Sequence, residues 1–150
     1  MKLAAALMQR ADLQTRIGEL QVRLNNNARV QEGEKPTEDP MELIAALDAA
    51  AAELEDLTVR INLTNAQTVI DGMSITARIA KRDTLLQKER ILRGFVTEAS
   101  QLTSRYSRTE IKVAATIDVR AMQKELDKLA KEIRETDEAL QELNWTVDLL

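Results

Sequence analysis

Charged side chains inside otherwise apolar stripes are the first residues here whose type and spacing could do chemistry. Arg10 stands in the run Leu3, Ala6, Arg10, Leu13, Ile17, Leu20, Leu24, whose steps of three and four are those of a helical seam. Arg78, Arg82 and Glu89 fall within the arc of Ile75, Ile79, Leu85, Leu86, Leu92 and Val96 when that segment is wound as a helix. An unpaired buried charge costs several kcal/mol, so such groups must pair, reach water or meet a second chain. The expectation is a set of register-fixing ion pairs; the sharper alternative is that Arg10, Arg78, Arg82 and Glu89 line an anion site or an oligomer interface.

Three further groups invite a chemical reading. Asn62, Thr64 and Asn65, with Asn144, Trp145 and Thr146, sit where two helices are expected to end, which suggests capping with Trp145 as a lid on the core, or a small polar pocket. The triplets Asn62-Leu63-Thr64 and Asn144-Trp145-Thr146 match the sugar-acceptor pattern, which has no use in a cytoplasmic protein. Arg105, Tyr106, Arg108 and Lys112 form a basic loop with one aromatic ring that could stack on a base. Acidic helices within the chain can absorb the same charge, so nucleic acid ranks below self-pairing. Carboxylates at Glu53, Glu55 and Asp56, and at Glu132, Glu135 and Glu138, superficially suggest helical magnesium ligands. Glu53 and Glu55 diverge by about 200° on a helix, and Glu132 and Glu135 lie among Lys128, Lys131 and Arg134, as on a solvated face. The chain has no His and no Cys, which removes Cys/His metal sites, cysteine nucleophiles and Ser-His-Asp arrangements. No cofactor and no enzymatic activity are expected.

The elements that must hold these residues are helices. Ala and Leu contribute 20 residues each and Glu 15, whereas there are one Phe, one Tyr, one Trp, four Gly and two Pro in 150 residues. That composition argues against a β-sandwich or a glycine-loop nucleotide fold. The spacing predicts one helical domain over residues 1–150, with helices at about 2–25, 40–63, 74–99 and 118–144. Asn25-Asn26-Asn27 ends the first helix, and Asp39-Pro40-Met41-Glu42 gives the second a cap, a first-turn Pro and a third-position Glu. Asp71-Gly72 marks a turn, Ser74 and Asp118 are candidate caps, and residues 101–117 read as irregular, with period-two alternation from Ile111 to Val119 suiting a short extended piece.

Charge alternates along the chain. Lys and Arg number 4 against 2 acids in residues 1–27, 1 against 5 in 41–65, 6 against 3 in 74–98 and 5 against 9 in 118–150. Basic and acidic helices in turn favour long antiparallel neighbours in an up-down four-helix bundle with coiled-coil-like seams. The six-residue apolar run Leu3–Met8 falls short of a signal sequence, and no stretch approaches a membrane span, so a cytoplasmic protein is expected. Seams carrying charge are most easily satisfied in a homo-oligomer, which points to a scaffold or interaction module; a binding protein for an anionic ligand is the alternative.

The segments Asn25 to Glu34, Glu38-Asp39-Pro40, Arg60 to Asn65, Arg105 to Lys112 and Asn144 to Leu149 together resemble a septicolysin-like family of small bacterial helical proteins. The resemblance spans nearly the whole chain. It implies a helical fold and, through its label, a lytic toxin, and it brings no catalytic residue or cofactor.

Overall fold

The computed structural model describes residues 1–102 and 112–150. The fold is all-α, with four long helices: α1 (Leu3–Asn26), α2 (Pro40–Gln67), α3 (Ile75–Ala99) and α4 (Val119–Thr146). A ribbon of β1 (Val69–Ile70) and β2 (Met73–Ser74) joins α2 to α3. The chain divides into two compact units, residues 1–74 with 143–150, and residues 75–142.

In the first unit α1 and α2 form an antiparallel hairpin, with Gln9 bonded to Glu53 at one level and Arg23 to Glu38 at the other. At about 1.5 Å per residue, the 24 and 28 residues of these helices span ~36 and ~42 Å. Every position of the sequence-predicted stripes is buried or half-buried: Leu3, Ala6, Leu13 and Leu20 are buried on α1, and Leu43, Ala50, Leu57 and Ile61 on α2. Each buried Leu or Ile contributes roughly 1.5–3 kcal/mol, which sets the hairpin's register.

The ends of these helices show what their polar residues do. Asp39 caps α2, its Oδ1 accepting from the Met41 N–H at 2.9 Å, with Pro40 beginning the helix. Asn27 ends α1 with φ −108°, outside the left-handed region that Asn-rich stops often use. Its side chain does the work instead: Nδ2 donates to the Arg23 carbonyl at 2.9 Å, and Oδ1 accepts from the Glu38 N–H at 3.0 Å. One buried amide thus ties the end of α1 to the approach of α2.

The run Asn62-Leu63-Thr64-Asn65, read from sequence as a stop, lies inside α2, which continues to Gln67. Thr64 is fully buried and its Oγ1 donates to the Arg60 carbonyl one turn back at 2.8 Å, so its hydroxyl is satisfied without breaking the helix. The Asp71-Gly72 turn is tight: both residues have positive φ, 52° and 74°, as a two-residue hairpin of this twist requires. Val69 pairs with Ser74 and Ile70 with Met73.

In the second unit α3 and α4 are joined by ion pairs. Asp118 caps α4 through its Oδ1, which accepts from the Ala121 N–H at 3.1 Å. Leu126, Leu129 and Leu140 are buried on α4, but only Ile75 and Val96 on α3. Residues 112–118 hold no strand, and Val119 already belongs to α4, so the alternation from Ile111 to Val119 finds no sheet partner among the described residues.

Candidate functional site

The charged seam of α3 is the most developed polar arrangement in the second unit. Arg82, half-buried, donates from Nε and Nη2 to Asp83 Oδ1 at 3.0 and 2.9 Å, and from Nη1 to Asp137 Oδ1 on α4 at 3.4 Å. Hydrogen bonding to Asp83, then its charge and that of Asp137, raise the Arg82 pKa against the opposing effect of burial. Lys81 pairs with Glu132 at 3.0 Å, and Glu89 accepts from Arg93 Nε at 2.6 Å one turn along. Arg78 is half-buried on the same stripe. The two carboxylates on Arg82 leave little unbalanced charge there for an anion. Arg10 is half-buried on α1, in the other unit.

The predicted polar end resolves differently for each residue. Thr64 accepts from the Leu150 N–H at 3.0 Å, and Arg60 Nε donates to the Leu150 carbonyl at 2.8 Å. The segment ahead of it lies antiparallel to residues 1–3: Leu3 N–H donates to Val147, Leu149 N–H to Met1, and Lys2 reaches both the Thr146 carbonyl at 2.9 Å and Asp148 at 3.0 Å. This fastening of residues 146–150 is what the cluster builds, with Arg60 and Lys2 as members that local sequence did not flag. Asn62 is exposed and Asn144 half-buried. Trp145 is 61% exposed, which corrects its reading as a lid: Leu143, two residues earlier, takes the buried face. Asn65 Oδ1 is buried and makes no hydrogen bond among the described residues.

Of the basic loop, Arg105, Tyr106 and Arg108 lie outside the described residues, and Lys112 is exposed. Among the described residues no group of three acidic side chains stands close enough to hold a metal ion.

Sequence reading missed a cleft of about 490 Å³ between α1 and the start of α2, walled by Arg16, Arg23, Glu38 and Glu42 over a floor of Leu20 and Leu43. Arg23 holds Glu38 through two bonds, one from Nε at 3.1 Å, and hydrogen bonding from Arg23 lowers the Glu38 pKa against its partial desolvation. The pair closes the cleft's end. Its only sequence signal is the juxtaposition of the Asn-rich stop with the Asp-Pro cap, which brings residues 23 and 38 together once the hairpin forms.

Compared with known proteins, residues 10–149 match the model of a family of unknown function, DUF6847. A crystal structure of a functionally unknown conserved protein from Corynebacterium diphtheriae is 40% identical, with a TM-score of 0.90 over 100% of this chain and 99% of that one. No curated protein matches. These matches overturn the septicolysin-like resemblance, since neither points to that family. The segments behind it are largely helix ends and caps, such as Asn27, Asp39 and Thr64, which record an architecture and carry no activity. Among the described residues no helix is long and apolar enough to cross a membrane.

Proposed function

The chain belongs to the DUF6847 family, whose function is unknown, and from that premise we propose that it is a cytoplasmic, non-enzymatic interaction module that works as a homo-oligomer. The observation that carries this reading is on α3. Ile91 is 60% and Phe95 44% exposed, one helical turn apart. At 100° per residue, Ile91 stands about 140° and Phe95 about 100° from the centre of the stripe that α3 buries. Single exposed apolar residues are ordinary, but a paired Ile and Phe on a long helix form the kind of anchor that interfaces use. Val59 and Leu63 repeat the spacing on α2 without an aromatic residue.

The absence of His and Cys supports the non-catalytic part of the proposal. The paired state of Arg82 supports the structural reading of the α3 charges over an anion site. Light scattering on the eluting protein at micromolar concentration tests the proposal: a mass above 16.8 kDa is expected. A single species of that mass, unchanged as concentration rises, overturns it.

A further inference from the structure

We infer that the outer face of α3 is a two-fold interface with a second copy of this chain, the helices crossing antiparallel beside Gly94. The inference rests on the proposal of self-association and assigns it a surface. Three observations on α3 converge there. Gly94 is exposed within the helix, and nothing stands within 4 Å of a Cβ built on it. A helix-interior Gly costs roughly 0.5–1 kcal/mol against Ala, a cost that close approach of another backbone would offset. Ile91 and Phe95 flank it as exposed apolar residues. Arg90 and Glu98 are exposed and form no ion pair among the described residues, although most charges on this helix do.

The wheel gives these residues sides. Gln87, Gly94 and Glu98 run along one line of the outer face, with Ile91 and Phe95 to one side of it and Arg90 to the other. An antiparallel two-fold contact keeps each side against its own counterpart. With the axis beside Gly94, Ile91 meets the partner's Phe95, and Arg90 meets the partner's Glu98, each twice. A parallel contact would set Arg90 against the partner's Arg90 and Glu98 against the partner's Glu98. The charges therefore select the antiparallel arrangement.

The test uses the full chain. Because it contains no Cys, Gly94→Cys supplies the only thiol, and mild oxidation should give a covalent dimer, whereas Lys124→Cys on α4 should not. Independently, Arg90→Glu or Glu98→Arg alone should weaken association about tenfold, and the two together should restore it to within about threefold, since each exposed pair is counted twice by symmetry. All three positions are exposed, so the fold should survive, and circular dichroism checks that it does. Crosslinking through residue 94 with recovery in the double variant supports the interface. A wild-type oligomer that ignores the charge changes and does not crosslink overturns this assignment and leaves self-association standing. A monomeric wild type overturns both.

Discussion

Replacing Thr64 by Val removes one hydroxyl from a site with no solvent access and keeps the side-chain shape. That hydroxyl donates to the Arg60 carbonyl at 2.8 Å and accepts from the Leu150 N–H at 3.0 Å. Each net hydrogen bond is worth about 0.5–1.5 kcal/mol, and the Arg60 carbonyl sits in a helix that can still satisfy it, so the loss falls mainly on Leu150. A total of about 1–2 kcal/mol follows, partly offset by the added methyl. For a chain of this size each kcal/mol lowers Tm by about 2–4 °C, giving an expected drop of ~2–8 °C. The sole Trp, Trp145, begins the fastened segment, so its fluorescence reports the same region. Hydrogen exchange should show faster exchange at the Leu150 amide in Thr64→Val, and protection kept in Thr64→Ser. A Val variant with unchanged Tm and a Leu150 amide as protected as in wild type would refute the reasoning, because the hydroxyl would then hold nothing.

Other outcomes follow from the same contacts. Asp39→Ala should cost ~0.5–2 kcal/mol in chemical denaturation by leaving the Met41 N–H uncapped. Asn27→Ala removes both bonds of a buried amide and should cost ~1–3 kcal/mol, more than the same change at exposed Asn26. Glu38 has a lowered pKa because of Arg23, so its contribution to stability is complete above the ordinary carboxylate value of 4.5 and is lost as pH falls through the depressed one. A carboxylate NMR titration should show Glu38 returning to the ordinary range in Arg23→Gln; no change would mean the pair does not persist in solution.

Local sequence carried the helices well because their stripes are periodic and their ends are chemically marked. Each stripe position of α1 and α2 is shielded, and Arg78, Arg82 and Glu89 are half-buried on α3 where exposed neighbours surround them, as their place within the apolar arc requires. Partnership was less legible than position. Nothing near Arg82 in sequence announces Asp137, and nothing near Thr64 announces Leu150, since both contacts depend on how distant segments meet. The β1–β2 ribbon has two residues per strand, too few for alternation to register, so only its Asp71-Gly72 turn was visible. Trp145 misled by its type: a lone Trp suggests a core cover, but its helical phase directs Leu143 inward and leaves the ring outside. The outer face of α3 was legible only in part, because Ile91 and Phe95 satisfy no stripe of their own helix and the reason for them lies beyond the chain.

Self-association through α3 is tested most directly by sedimentation velocity on wild type and Phe95→Asp over a concentration series. The wild type should move to a species of about twice 16.8 kDa as concentration rises, and Phe95→Asp should stay monomeric with unchanged helix content. A wild type that sediments as a monomer throughout, or a Phe95→Asp variant that dimerises as wild type does, would contradict the assignment of this face.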